Sequence, residues 1–142
     1  MADRFIIPPE EKDFASRVIF GEVADQPEDV QRMAIQTYYN RRRSPRKKEF
    51  GTTAEEVAKK GYYAYSKNSP RYQLAVSGKM DTPSQVSYGR IRKLFDVIEG
   101  DQDFGDALFY TKPTEDFDKT LRQHPAVRFL GTIGPYNTYS YK

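Results

Sequence analysis

The sequence predicts an α+β fold, with helices up to Gly100 and a small antiparallel sheet of three strands after it. Before Gly100, apolar residues recur at helical spacing and several segments open with capping residues. After Gly100, short apolar and aromatic runs alternate with turn residues. Such an order of elements is typical of α+β proteins. The length of 142 residues predicts a single domain over residues 1–142.

Five helices are predicted from apolar periodicity and from start and stop residues. They cover residues 9–20, a second segment that begins at 27, and residues 53–61, 70–77 and 82–100. Pro27 is placed at the first helical position, with Asp25 or Gln26 as the cap. The aromatic segment 62–68 is predicted to be a loop. Each helix therefore has a local reason to begin or to end where it does.

Three strands are predicted in the last third of the chain. Residues 107–111 form a short apolar and aromatic run between Gly105-Asp106 and Pro113. Residues 129–133 and 138–141 flank Gly134-Pro135-Tyr136-Asn137, which predicts a hairpin with a four-residue connection.

Composition excludes several kinds of site. There is no cysteine, so a disulfide, a thiolate metal site and a cysteine nucleophile are all excluded. A single histidine, His124, makes a metal site improbable, and we expect no metal and no cofactor. No apolar run is long enough for membrane insertion or for an export signal. Eleven tyrosines suit a surface that stacks on ring-shaped ligands.

Six cations lie within eight residues, at Arg41, Arg42, Arg43, Arg46, Lys47 and Lys48. Such a patch can hold nucleic acid or another polyanion, including an anionic wall polymer. Its other interpretation is a solvated helix end, where cations are stabilised by the helix dipole and Pro45 stops the helix. No base-reading motif accompanies the patch, so we favour the helix end and do not expect nucleic acid as a partner.

One carboxylate follows the first predicted helix directly. Phe14, Ala15, Val18 and Ile19 share one helical face, Gly21 is a helix stop, and Glu22 comes next. A carboxyl group between apolar neighbours can have its pKa raised by desolvation and can then act as a general acid. From this segment alone, an exposed loop glutamate is the favoured interpretation.

Motifs along the rest of the chain change that preference. They are Gly21-Glu22, Gln26-Pro27-Glu28, Asn40-Arg41, Tyr65-Ser66, the run Gly-Asp-Ala-Leu-Phe-Tyr at 105–110, and Ile133-Gly134 with Tyr139. In this order the chain resembles the SleB-type cell wall hydrolases, named after the spore cortex-lytic enzyme, over about residues 14–141. Two features of that family are missing: a histidine in the closing hairpin and a tryptophan between the last strands.

The resemblance implies a lysozyme-like fold that cleaves peptidoglycan glycan strands, as a lytic transglycosylase or a muramidase. It implies Glu22 as the catalytic acid, and the substrate-site candidates are Asn40, Tyr63, Tyr65, Ser66, Tyr110 and Tyr139. For the tyrosines, packing in the core or under a loop is the alternative. For Asn40, the alternative is simply the end of the second helix.

The transglycosylase route explains how one glutamate is enough. Glu22 would protonate the glycosidic oxygen and then take the proton of the sugar's C6 hydroxyl as a 1,6-anhydro ring closes. Hydrolysis would need a second carboxylate at about 5 to 9.5 Å. Asp25, Glu28 and Asp29 are near in sequence, but we interpret them as the acidic first turn of the second helix.

Two classes of function remain open from the sequence. One is an enzyme acting on peptidoglycan, such as a bacteriophage or prophage endolysin. The other is a non-catalytic virion or tail component that keeps the fold as a docking module for other virion proteins. In both cases we expect a protein made in the host cytoplasm that reaches the wall after release or as part of the virion.

Overall fold

The computed structural model describes residues 4–142, so the first three residues of the predicted domain lie outside the described part. Residues 4–142 form eight helices and one three-stranded antiparallel sheet, which confirms the predicted α+β class. The helices are α1 Pro9–Val23, α2 Glu28–Arg43, α3 Lys47–Phe50, α4 Ala54–Gly61, α5 Tyr63–Ser66, α6 Pro70–Ser77, α7 Thr82–Asp101 and α8 Asp116–Gln123. The strands are β1 Phe109–Thr111, β2 Val127–Ile133 and β3 Tyr136–Tyr141.

The helical part is organised around α1, which packs against α2, α6 and α7. Apolar side chains at the predicted helical spacing meet between these helices and are removed from solvent. The main contributors are Ala15, Val18 and Ile19 of α1, Val30, Met33 and Ala34 of α2, and Ile91, Phe95 and Ile98 of α7. Burial of these faces is the principal force that holds the helices together.

Gly21 does not end α1, so the prediction that Glu22 follows the helix is wrong. The helix continues to Val23, and Glu22 lies in its last turn. A β-carbon at Gly21 would lie 2.6 Å from the Cβ of Ala64 and 3.2 Å from the Cβ of Tyr72. Glycine is therefore needed here because α5 and α6 approach α1 closely, and not because the chain turns.

Several boundaries also differ from those predicted. Pro27 has an extended backbone and occupies the N-cap position of α2, so the helix begins at Glu28 and not at Pro27. The segment predicted as an aromatic loop contains the short helix α5, and α3 and α8 were not predicted. A helix of four residues is too short to show a period in its sequence. The sequence of α3 and of α5 therefore carries no periodic signal from which the helix could be predicted.

The sheet has β3 at its centre, between β1 and β2, and both pairings are antiparallel. Ile133 pairs with Tyr136, so the hairpin connection has two residues, Gly134 and Pro135, where four were predicted. The first strand begins at Phe109 rather than at residue 107. A second apolar cluster on this sheet includes Phe109, Leu121 and Tyr139. The sheet brings the end of β1 close to the end of α1.

Candidate functional site

A cavity of about 480 Å³ lies between the helical part and the sheet. Glu22 enters it from the last turn of α1 and Tyr63 from the start of α5. Tyr110 of β1 and Tyr136 of β3 line it from the sheet. The wall is completed between the end of β1 and the first turn of α8 by Thr111, Lys112, Glu115 and Phe117. Arg41 of α2 and Gly61 of α4 also line it, so seven helices and strands contribute to the cavity.

Glu22 is a half-buried carboxyl group held in a defined position. Its Oε1 accepts a hydrogen bond from the backbone N–H of Ala64, at 3.1 Å, in the first turn of α5. Burial raises the pKa of Glu22, because a charged carboxylate loses hydration there. The Ala64 hydrogen bond and the charge of Arg41 act in the opposite direction, and the charge of Glu115 adds to the rise. A carboxyl group in this setting is suited to donate a proton.

Arg41 is a buried cation beside Glu22, with only 5% of its surface exposed. Its Nε donates to the backbone oxygen of Leu108 at 2.7 Å, and its Nη1 donates to the backbone oxygen of Gly61 at 3.0 Å. A β-carbon at residue 61 would lie 2.1 Å from Nη1, so only glycine allows this approach. Arg41 therefore ties α2 to the end of α4 and to the segment before β1.

Aromatic rings surround the Arg41 guanidinium. Its central carbon lies 5.1 to 5.6 Å from the ring centroids of Phe50, Tyr62 and Phe109. At these distances the cation is attracted to the ring faces. For Arg41, the interpretation of the cationic patch as a solvated helix end is wrong, because the side chain turns inward between α2, α4 and β1.

Four of the other five cations of the patch also make side-chain contacts within the protein. Arg42 forms a two-point ion pair with Glu11, with N–O distances of 2.9 and 3.0 Å. Lys47 donates to the backbone oxygen of Arg42. Arg46 lies 3.8 Å from the ring centroid of Tyr141. The exposed Arg43 side chain donates to Asn40. These contacts bind four of the cationic side chains to neighbouring groups of the same protein.

Two kinds of aromatic side chain line the cavity. Tyr110 and Tyr136 meet edge to face with ring centroids 5.4 Å apart, and burial raises the pKa of both hydroxyl groups, that of Tyr110 strongly. Tyr63 and Phe117, which we call the aromatic rim, are 69% and 45% exposed. The exposed ring faces of these two residues are accessible to a ligand in the cavity.

The cavity brings together three of the seven residues proposed from the sequence: Glu22, Tyr63 and Tyr110. Tyr139 lies outside it, because Tyr139 pairs with Phe109 and so occupies the opposite face of the sheet from Tyr110. There its buried hydroxyl donates to Asp118 at 2.7 Å.

The remaining three proposed residues also lie away from the cavity. Asn40 is buried and donates to the backbone oxygens of Phe104 and Ala107, at 2.9 and 2.8 Å, which holds the segment between α7 and β1. Tyr65 packs on Phe14 and Tyr72, and its hydroxyl donates to Glu55. Ser66 is exposed and donates to the backbone of its own turn.

The three acidic residues near Glu22 in sequence do not line the cavity. Asp25 pairs with Arg71 at 2.9 Å, and this hydrogen bond lowers the pKa of Asp25. Asp29 accepts from the N–H of Val30, and Glu28 lies 4.0 Å from Arg32. These contacts belong to the start of α2 and to its connection with α6.

Sequence reasoning missed Glu115, Phe117 and Tyr136 as cavity residues. Glu115 and Phe117 belong to the turn before α8 and to its first turn, a region for which no element was predicted. A local indication was present, since acidic residues cluster at the start of α8 and Phe117 and Leu121 are four residues apart. Nothing local indicates that this turn faces Glu22.

Two further properties bear on partners and cofactors. No helix within residues 4–142 is long and apolar enough to cross a membrane. In the same described part of the chain, no group of three or more His, Cys, Asp or Glu residues is arranged to hold a metal ion.

Comparisons with known proteins add no assignment. No protein-family model matches the sequence, no curated protein is significantly similar to it, and no solved structure matches the chain. The function therefore has to be inferred from the residues of the cavity and from the motifs in the sequence.

Proposed function

We propose that this protein cleaves peptidoglycan glycan strands, with Glu22 as the acid that protonates the glycosidic oxygen. The observation that carries the proposal is a half-buried carboxyl group of raised pKa that opens into an aromatic cavity. The order of SleB-type motifs supports the same reaction, and with it we propose a lysozyme-like arrangement of the helices. The leaving sugar oxygen is a strong base in the transition state, so a proton donor at this place lowers the barrier.

The shape of the site suits a polymer. The cavity adjoins a second one of about 270 Å³, and both are lined by Arg41, Gly61 and Phe117. We infer that the two cavities together provide a cleft that extends beyond Glu22 on one side. A glycan strand can occupy such a cleft with several sugar units, and the bond beside Glu22 is the one that is cleaved.

The lining of the cleft suits sugars in particular. Pyranose rings have apolar C–H faces and polar hydroxyl edges, and aromatic rings with hydroxyl groups match both. The aromatic rim of Tyr63 and Phe117 supplies exposed ring faces, and Tyr110 and Tyr136 supply hydroxyl groups beside Glu22. We infer that the rim binds the strand and that the two inner tyrosines orient the sugar at the cleavage point.

Digestion of purified walls tests the proposal. We expect the wild-type protein to release soluble glycan fragments from insoluble peptidoglycan, which turbidity and mass spectrometry of the supernatant measure. A panel of walls that differ in peptide cross-links and acetylation covers the unknown host. Binding to these walls without any fragment release would contradict catalysis and would support the docking module for virion proteins.

The aromatic rim gives a first prediction. We expect Tyr63→Ala and Phe117→Ala each to weaken binding to peptidoglycan by roughly fivefold, since loss of one stacking contact is worth about 1 kcal/mol. A pelleting assay with insoluble walls measures this. Phe129→Ala is the matched control, because Phe129 is 55% exposed but lies on β2 outside the cavity. Equal weakening by all three variants would contradict a rim that binds sugars.

The pH dependence gives a second prediction. Glu22 is active as an acid only while protonated, so the rate must fall as the pH rises through its pKa. Because burial raises that pKa, we expect the fall in kcat/KM to be centred above the ordinary glutamate value of about 4.3. Rates on soluble glycan fragments between acidic and neutral pH measure it. A fall centred below that value would contradict the assignment.

A further inference from the structure

We propose that Glu115 is the base that activates a water molecule in this reaction, so that cleavage is hydrolytic and leaves ordinary reducing ends. The inference rests on the proposed function and goes beyond it, since the motifs in the sequence indicate a single catalytic carboxylate and leave both the anhydro and the hydrolytic product open. It also supplies the second carboxylate that hydrolysis requires.

The position of Glu115 supports its role as the base. Glu115 and Glu22 line the same cavity, although they come from the turn before α8 and from the last turn of α1. They are close enough for the charge of Glu115 to contribute to the raised pKa of Glu22. The two carboxyl groups form no direct hydrogen bond in the described part of the chain. The cavity that they share has a volume of about 480 Å³, and we infer that a sugar unit and a water molecule bind in it beside the two carboxyl groups.

The orientation of the Glu115 side chain also supports this role. Glu115 stands at the N-cap position of α8, yet its side chain does not cap the helix. Its Oε2 instead accepts a hydrogen bond from the hydroxyl of Thr111, at 2.9 Å. Thr111 is only 2% exposed and belongs to β1, so the carboxylate is fixed by the sheet. A capping role, the usual reason for an acidic residue at this position, does not account for it.

The environments of Glu22 and Glu115 differ in their exposure to solvent, which suits different roles for the two carboxyl groups. Glu22 is half-buried, whereas Glu115 is exposed and is in contact with solvent. A pair of carboxyl groups in unlike environments is the arrangement by which one serves as acid and the other as base. Solvent access at Glu115 also provides the water that the reaction consumes.

Glu115 takes a proton from water, and the water oxygen forms a bond to the anomeric carbon of the sugar. The bond between that carbon and the glycosidic oxygen breaks, and Glu22 gives its proton to the leaving oxygen. One water is consumed for each bond cleaved. Glu115 then loses its proton to solvent and Glu22 regains one before the next cycle.

Digestion in oxygen-18-labelled water tests the inference. We expect each new reducing end to carry the label, because the water oxygen becomes part of the product. An anhydro end would instead be lighter by one water and unlabelled. If the wild-type protein releases anhydro ends, the role of Glu115 as base is overturned, while the proposal that Glu22 is the acid is unaffected. A wild-type protein that releases no fragments from any wall would overturn both proposals.

Variants of Glu115 complete the test. We expect Glu115→Gln to lower the cleavage rate by about 100-fold or more, since general base catalysis contributes that much. Asp116→Asn is the control, because Asp116 is the next residue, is exposed and does not line the cavity. Azide, a small anionic nucleophile, should restore the rate of Glu115→Ala and give glycosyl azide. Full activity of Glu115→Gln, or no rescue of Glu115→Ala while it remains folded, would overturn the inference.

Discussion

Replacement of Glu22 by glutamine is expected to lower the rate of glycan cleavage by about 10²- to 10⁴-fold, which is the usual contribution of a general acid. Glutamine has nearly the same shape as glutamate but cannot donate a proton to the leaving oxygen. Rates of fragment release from purified peptidoglycan, under conditions where the wild-type protein is active, measure the change.

The same substitution should leave the fold intact. The side-chain oxygen of glutamine can still accept the hydrogen bond from the N–H of Ala64. Burial raises the pKa of Glu22 above its value in the unfolded chain. The stability that Glu22 contributes is therefore present at low pH and falls as the pH rises through the raised value. At neutral pH glutamine removes this penalty, so Glu22→Gln should melt at the wild-type temperature or slightly above it.

Glu28→Gln serves as the control for this experiment. Glu28 is an exposed residue at the start of α2, and its distance of 4.0 Å from Arg32 makes a weak surface pair. We expect its cleavage rate and melting temperature to match those of the wild type. If Glu22→Gln cleaves peptidoglycan as fast as Glu28→Gln, Glu22 is not the acid.

The second large effect is expected on stability. Arg41→Ala should lower the free energy of unfolding by about 3 kcal/mol, as loss of a buried and hydrogen-bonded side chain does. The substitution leaves the backbone oxygens of Leu108 and Gly61 without these donors. It also removes the group that fills the space between three aromatic rings. Denaturant unfolding followed by circular dichroism measures the change.

Arg43→Ala is the matched control for Arg41→Ala. Arg43 lies two residues away on the same helix, is exposed, and contacts Asn40 and the ring of Phe104. Its loss should cost less than about 1 kcal/mol, as for most surface side chains. If both substitutions cost the same, the contacts of Arg41 do not hold α2, α4 and β1 together.

Much of the fold could be predicted because its causes are local. The apolar spacing in α1, α2 and α7 and the capping residue Thr53 before α4 act within a few residues of themselves. The predicted capping box at Thr82 is displaced by one residue, because Asp81 is the residue that caps α7. The predicted boundaries were wrong where contacts between segments distant in sequence decide the local structure. Gly21 resembles a helix stop in sequence, but its role is to let α5 and α6 approach α1. The four-residue helices α3 and α5 have no period to recognise.

The residues of the candidate site can also be divided into those that local sequence predicts and those that only the tertiary structure brings together. Sequence alone determined the class of fold, the faces of the long helices, and Glu22 as the carboxylate to examine, because these follow from spacing and motif order. Tertiary structure alone decided that Arg41 is buried, that Tyr110 lines the cavity while Tyr139 faces the other way, and that Glu115 lines the same cavity as Glu22. The physical reason is that burial, strand register and the approach of two charges depend on which distant segments pack together, and no local pattern encodes that.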